Sequence, residues 1–322
     1  MSATPVIAIL GTGGTIASQH SAGGVVPAVD VHDLVRADLV GSRVGDVTLR
    51  PRTVLSLDSS AMTPDDQWTL VRAISTELAD PAVAGVVVTH GTDTLEESAM
   101  LADLVLDDPR PVVFTGAQRP SDAEGADGPA NLAAAVACAA DPDSRSRGVL
   151  VAFGGQVLPA RGTVKVSASD LRAFDCAAPG LARPRIDVGG HSPVSARVDI
   201  VTVHPGFVPD IIAHLVASGA RGLVVAGLGS GNVGPGVRDA VADAISLGVA
   251  TVISTRVPFG EVVATYGGGG GAVDLAAAGA VVSPWLRPPQ ARVALAALLS
   301  VGTDHDGIAA FFAAGPVAAG GA

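Results

Sequence analysis

Apolar runs with almost no polar interruption set the main constraint on this fold. Residues 6–10, 83–89, 112–115 and 149–153 are β-branched and apolar at nearly every step. A strand with one wet face alternates, whereas a strand apolar throughout has both faces covered, as in a parallel sheet between helices. The stretches between the runs have helical spacing. Thr63-Pro-Asp-Asp opens one of them, with Thr63 at the N-cap, Pro64 at the first position and Asp66 at capping-box distance. Trp68, Val71, Ile74 and Leu78 then recur on one face, and further helices are predicted over 95–106 and 131–139.

The rhythm breaks at 177–196, a stretch rich in Pro and Gly with no period, and then resumes. Strands are predicted at 198–203, 222–226, 250–254 and 280–283, with helices over 209–217, 235–247 and 289–299. The expectation is two α/β domains with mainly parallel sheets. The larger N-terminal domain spans 1–176, the linker 177–196 and the smaller C-terminal domain 197–322. Beyond the shared rhythm, no sequence repeat relates the two halves.

Composition narrows the function. The chain has 322 residues, 48% apolar and 16% charged, enough for sizeable cores. Aromatic residues supply only 3%, so Ala, Val, Leu and Ile fill them. A net charge of -11 argues against nucleic acid or an anionic membrane as main partner, since both need a basic footprint. Cys138 and Cys176 make neither a disulfide framework nor a zinc spacing, and no metal or cofactor is expected. The N-terminus lacks a basic segment followed by a long apolar one, and no apolar run is long enough to span a bilayer. A cytoplasmic protein is expected. The basic residues are 19 Arg and one Lys, Lys165, which marks a position where an amine that can lose its proton is worth seeking.

Open parallel sheets bind ligands beyond the carboxyl ends of their strands. Three polar clusters follow strands or precede helices here. GTGGTIA at 11–17 is a weak dinucleotide fingerprint, and the acidic residue expected about 20 positions on is missing, because Asp33 and Asp38 fall in a helical pattern. Its two hydroxyls, Thr12 and Thr15, in a glycine-rich turn suit a nucleophile beside free backbone N–H groups. THGTDTLEE at 89–97 contains Thr92, Asp93 and Thr94, which by residue type alone serve equally well as helix caps. LDSSAM at 57–62 alone is a turn with two hydroxyls, Ser59 and Ser60.

Taken in order, GTGGTIA, DSSAMTP, HGTDTLEE, GAQRPSDAEGADGPANL and RGTVK, followed by GLGSGN, STRVP and PQARV, resemble the bacterial-type L-asparaginase family over nearly the whole chain. The resemblance implies hydrolysis of the side-chain amide of L-asparagine to L-aspartate and ammonia through a threonine acyl-enzyme. It leaves open weak activity on L-glutamine. By motif position it makes Thr15 the nucleophile and Thr92, Asp93 and Lys165 the second catalytic group. Asp93 is then the partner of the substrate ammonium, with Ser59 on the α-carboxylate and Ser60 beside it. Asn232 completes a neighbouring subunit's site, implying a homo-oligomer, either a dimer or a dimer of dimers. A lysine acts as a base only where its ammonium is destabilised, and an Asp carboxylate opposes that, so positioning of Thr92 or of a water is an equal reading of the Lys165–Asp93 pair.

Two departures stand out. The family's loop tyrosine falls on Val25, and the chain's one tyrosine is Tyr266. No acidic residue matches the one that reaches across subunits in some members, Glu261 being a poor candidate. His90 reads as a buried, hydrogen-bonded strand end, and Cys138 as a small core residue. The run 121–127 reads as a loop rather than a metal site, and Arg119 and Asp127 are expected to hold it against the Thr92 strand end. Other readings are a non-catalytic or slow amino-acid-binding regulator and the amidase subunit of a tRNA-dependent amidotransferase. An extra N-terminal domain of the amidotransferase kind would find little room before Thr12.

Overall fold

The computed structural model describes residues 4–39, 47–189 and 195–317. The chain forms two compact units, Met1–Cys176 and Ala177–Ala322. The first contains β1 (Val6–Gly13), β2 (Ser18–Ser21), β3 (Gly24–Pro27), α1 (Val31–Leu39), β4 (Thr48–Leu57), α2 (Pro64–Leu78), β5 (Val83–Thr89) and α3 (Leu95–Val105). It continues with β6 (Val112–Thr115), α4 (Gly128–Ala140), β7 (Val149–Phe153), β8 (Gln156–Pro159), β9 (Thr163–Lys165) and β10 (Phe174–Cys176). Its main sheet runs β4-β1-β5-β6-β7-β8, parallel except for the last pair. Because β1 has β4 on one side and β5 on the other, the strand order reverses at β1. A crevice for a ligand opens at such a reversal, outside the carboxyl ends of the strands.

The unbroken apolar runs lie in the centre of this sheet, as both-face burial requires. Ile7, Ile9, Val87, Val113 and Leu150 meet Leu132 and Val136 of α4 and Val31 and Leu34 of α1 in one cluster. Leu70, Ile74, Leu95, Met100 and Leu104 of α2 and α3 are also fully buried. Burying a side chain of this size contributes about 1.5–3 kcal/mol. The α2 capping box forms as its sequence predicts, with Thr63 and Asp66 bonding reciprocally.

Strand β4 was not expected. Its sequence TLRPRTVLSL has Arg50, Pro51 and Arg52 in mid-strand, which disguises it. As the sheet's edge it tolerates proline and charge. Arg50 and Arg52 pair with the buried Glu77 of α2, at 2.7 and 3.2 Å.

The second unit contains β11 (Val198–Thr202), α5 (Asp210–Ala217), β12 (Gly222–Gly227), α6 (Pro235–Ser246), β13 (Ala250–Thr255), α7 (Ala272–Ala277), β14 (Val281–Val282), α8 (Pro288–Ser300) and α9 (His305–Phe312). Its four strands pair in sequence order, all parallel. Val201, Leu223, Val225 and Ile253 pack with Ile212, Val237 and Val241. The stretch read as a linker opens this unit, with Leu181 bridged to Pro316; its residues 190–194 lie outside the described residues. Among the described residues, no helix is long and apolar enough to cross a membrane.

Candidate active site

Close backbone contacts draw three of the polar clusters together where the strand order reverses. Thr12, at the end of β1, donates its hydroxyl to the Thr89 carbonyl on β5 at 3.0 Å. Gly13 and Gly14 follow with φ of 96° and 78°, which β-carbon-bearing residues rarely adopt. A Cβ on Gly14 would lie 2.3 Å from the Gly91 Cα, and one on Gly91 would lie 2.5 Å from Ser59 Oγ. The turn before Thr15 is therefore stacked backbone to backbone on the turn before Thr92, which lies in turn against the Ser59 side chain. Thr15, half-buried, opens the short helical turn Thr15–Ala17 directly after Gly14.

The hydroxyls and carboxylate after β5 do not cap α3. Thr94 stands at its N-cap without a capping bond and donates its hydroxyl to the Ser59 carbonyl at 2.9 Å. The Asp93 N–H donates to Ser59 Oγ at 3.2 Å. Lys165 Nζ, at the end of β9, donates to Thr92 Oγ1 and to Asp93 Oδ1, each at 2.8 Å. The Thr92 hydroxyl in turn donates to Gln118 Oε1 at 3.2 Å. This leaves Thr92 Oγ1 with a lone pair facing an ammonium and its proton facing an amide oxygen. Such an oxygen keeps a second lone pair, on which it can accept from a water. The Asp93 side chain is 62% exposed, so one carboxylate oxygen engages Lys165 while the group stays open to an incoming cation.

Gln118 was missed by the sequence reading. Its place in GAQRP, directly after β6, was the available signal. Asp127 fixes it: the carboxylate accepts from the Gln118 and Arg119 N–H groups at about 3 Å and from Asn131 Nδ2 at 3.0 Å. Arg119 Nη1 donates to the Gly125 carbonyl at 3.0 Å, closing the loop.

Glu96 was also missed, because a Glu in the first turn of a helix reads as an ordinary cap. It is buried, and its Oε2 accepts the backbone N–H of Lys165. Burial raises its carboxyl from 4.5 to about 7 and Glu97 adds to the rise, while the N–H bond and the charge of Lys165 oppose it. Seven residues along α3, buried Asp103 pairs with buried Arg161 at 3.1 Å.

His90 is fully buried and its pKa falls to about 4, because burial disfavours the cation. Nδ1 lies 2.7 Å from the Gly91 carbonyl, which only accepts, so Nδ1 carries the proton and Nε2 accepts from Ser98 Oγ at 2.9 Å. It holds the strand end, as expected.

The remaining sequence candidates lie each within its own unit. Ser60 is exposed on the Ser59–Ala61 turn. Asn232 belongs to the second unit, where its backbone pairs with Leu228 and its Oδ1 accepts from the Ala272 N–H at 3.3 Å. Glu261 and Tyr266 are exposed in that unit. Val25 pairs with His20 in the β2–β3 hairpin, and its side chain lies outside the described residues. That hairpin is tied to the loop after β6, since Asp122 accepts the His20 N–H at 2.9 Å. No group of three His, Cys, Asp or Glu among the described residues could hold a metal ion.

The chain is similar to known proteins along nearly its whole length. Residues 6–189 match the family described as Asparaginase, N-terminal, and residues 197–312 match the Glutaminase/Asparaginase C-terminal domain. The L-asparaginase of Bacillus licheniformis is 34% identical, over 91% of this chain and 95% of its own length. L-asparaginase 2 of Escherichia coli K12 is 34% identical, over 96% of this chain and 93% of its own. A crystal structure of a probable cytoplasmic L-asparaginase from Campylobacter jejuni superposes with a TM-score of 0.85 at 30% identity. It covers 97% of this chain and 100% of that one. With both family domains matched in order and relatives similar along nearly their whole length, this chain belongs to the asparaginase family.

Proposed function

We propose that this protein hydrolyses the side-chain amide of L-asparagine to L-aspartate and ammonia, with Thr15 as nucleophile. The observation that carries the reading is Lys165 Nζ held 2.8 Å from both Thr92 Oγ1 and Asp93 Oδ1, on a turn stacked against the one that presents Thr15. Thr15 Oγ adds to the amide carbonyl carbon, the C–N bond breaks as nitrogen takes up a proton, and ammonia leaves a β-aspartyl ester on Thr15. Water then adds to the ester, the C–O bond to Thr15 breaks, and the hydroxyl is restored as aspartate departs. Threonine needs a neighbouring proton acceptor for the first step. The Thr15 proton passes through a water held at Thr92, between Lys165 and Gln118, to the departing amide nitrogen, which is its final acceptor.

Recognition of the zwitterion follows from the same residues. The exposed Asp93 carboxylate takes the α-ammonium. Ser59, whose oxygen accepts the Asp93 N–H, takes the α-carboxylate through its hydroxyl, with Ser60 beside it. The roles of the two units are part of the proposal: 1–176 catalytic, 177–196 connecting, and 197–322 lending Asn232 to a neighbouring subunit in a homo-oligomer, either a dimer or a dimer of dimers. A cytoplasmic location accords with the name of the Campylobacter jejuni relative.

The test is ammonia release from L-asparagine, L-glutamine and D-asparagine side by side, with quenched samples examined by intact mass. Release from L-asparagine, a mass increase of one aspartyl group in the wild type, and loss of both in Thr15→Ala are expected. Full activity in Thr15→Ala would remove the nucleophile assignment. Binding without release from any amide would favour a regulatory protein in which Val25 stands for the missing phenol.

A further inference from the structure

Helix α3 holds the segment 161–165 at both of its ends. At the helix's first turn, Glu96 Oε2 accepts the Lys165 N–H. At position 103, on the same face two turns later, the Asp103 carboxylate accepts from Arg161 Nε at 3.1 Å and from the Val149 N–H at 3.1 Å. Both carboxylates are buried, Glu96 at 7% and Asp103 at 1% exposure. A buried carboxylate carries a desolvation cost that hydrogen bonds and opposite charge must offset, so two such groups aimed at one five-residue segment are costly to maintain. Helix α3 itself begins just after Thr92 and Asp93, the two groups that Lys165 Nζ reaches. One rigid element therefore references both sides of the Lys165–Thr92 contact.

We propose that Glu96 and Asp103 are positioning residues: they clamp segment 161–165 against α3 and so set where the Lys165 amine meets Thr92 and Asp93. Asp103 with Arg161 is the fixed end. Glu96 is the adjustable end, because its charge changes within the neutral range. An ionised Glu96 accepts the Lys165 N–H strongly, and a protonated one accepts it weakly, so the clamp loosens as pH falls through about 7. Among the described residues, two charged groups act on the Glu96 carboxyl, Glu97 and Lys165. Glu97, beside it in the first turn of α3, raises the carboxyl, and Lys165 on β9 opposes it through its N–H and its charge. Strands β6 and β7, which pack on α3, carry no titratable residue. Helix α2 meets α3 through neutral Gln67 and Ser98; its Asp65 and Arg72 are exposed, Asp66 is tied to Thr63, and Glu77 pairs with Arg50 and Arg52.

The inference rests on the proposed reaction for its purpose, and its test does not. Lys165 is the chain's one lysine, so protein labelled with 15N-lysine gives one backbone amide signal and one side-chain signal. In the wild type the Lys165 amide proton should shift upfield as pH falls, with a midpoint near 7, and in Glu96→Gln it should stay flat. A wild-type amide with no such transition, or the same transition in Glu96→Gln, overturns the clamp; should Glu96→Gln fail to fold, the wild-type titration alone decides. In ammonia release, kcat of the wild type should fall severalfold on the acid side of the same midpoint, with KM nearly constant, and Glu96→Gln should lack that limb. A titrating amide in a protein that releases no ammonia would sink the proposed reaction and leave the clamp. Ammonia release with a silent amide would do the reverse.

Discussion

Lys165 Nζ donates to Thr92 Oγ1 and to Asp93 Oδ1 at the same distance, 2.8 Å, so a single point donor lies between a hydroxyl and a carboxylate on adjacent residues. An ammonium, with three donors on one atom, satisfies this geometry. A guanidinium spreads its donors over a plane and does not. Lys165→Arg should therefore keep the charge and the fold while kcat for ammonia release falls by about two orders of magnitude, the scale of lost acid–base assistance. Thermal unfolding within a degree or two of the wild type, alongside that loss, is the expected pair of results. Normal turnover in Lys165→Arg would show that charge alone is used.

The stacked glycines give a graded prediction. Gly14 has φ of 78°, and a Cβ there would meet backbone, the Gly91 Cα at 2.3 Å and its N at 2.5 Å. On Gly91 the Cβ would first meet the Ser59 side chain, Oγ at 2.5 Å and Cβ at 2.8 Å. Side chains give way more readily than backbone, and Gly14 adds the strain of its conformation. Gly91→Ala should cost about 1–3 kcal/mol, with Gly14→Ala costing more. Gly24, whose added Cβ meets nothing within 4 Å, carries only the strain of its φ of 115°. Urea unfolding should rank the three as Gly14, Gly91, Gly24 from most to least destabilised.

Two buried groups oppose each other in the pH dependence of stability. His90 has a folded pKa of about 4 against 6.5 unfolded, so its contribution is present above 6.5 and is lost as pH falls toward 4. That displacement amounts to about 3 kcal/mol. Glu96 is raised from 4.5 to about 7, so its contribution is present below 4.5 and is lost as pH rises to 7, by a similar amount. Between about 4.5 and 6.5 the two slopes nearly cancel. Asp30, Asp80, Asp108, Asp122 and Asp274, lowered by the hydrogen bonds they accept, act only at still lower pH. Denaturant unfolding of His90→Gln should show stability falling as pH rises through this window, and Glu96→Gln should show it rising. Parallel slopes in the two variants would refute the assignment.

These features were unevenly legible in the sequence. The central strands could be read because burial on both faces leaves an unbroken apolar run, and α2 because its cap is written in Thr63, Pro64 and Asp66. Strand β4 could not, since an edge strand permits Arg50, Pro51 and Arg52, the residues that disguise it. Within the site, Thr92, Asp93 and Lys165 stood out through their residue types and motif setting. Gln118 and Glu96 act through contacts far along the chain, Gln118 with Thr92 and Glu96 with the Lys165 N–H; GAQRP marks the position of Gln118, and no local pattern names either partner. Thr94 shows the limit most plainly: helix statistics make it a cap, and the fold uses its hydroxyl to hold Ser59 instead.

The buried Asp103–Arg161 pair separates stability from geometry. Asp103 is 1% and Arg161 4% exposed, and Asp103 also accepts the Val149 N–H. Asp103→Asn leaves the buried guanidinium without its carboxylate, a loss of about 3–5 kcal/mol. Replacing both partners with Leu and Met removes the uncompensated charge, and such swaps are often neutral or stabilising. Here the Val149 N–H would still lose its acceptor, so the double variant should recover most, not all, of the stability. If the pair only stabilises the fold, the recovered protein should turn over L-asparagine like the wild type. If it fixes the end of segment 161–165, kcat should stay depressed after stability returns, because apolar side chains pack without specifying register. Urea unfolding and ammonia release on the same three proteins distinguish the two cases.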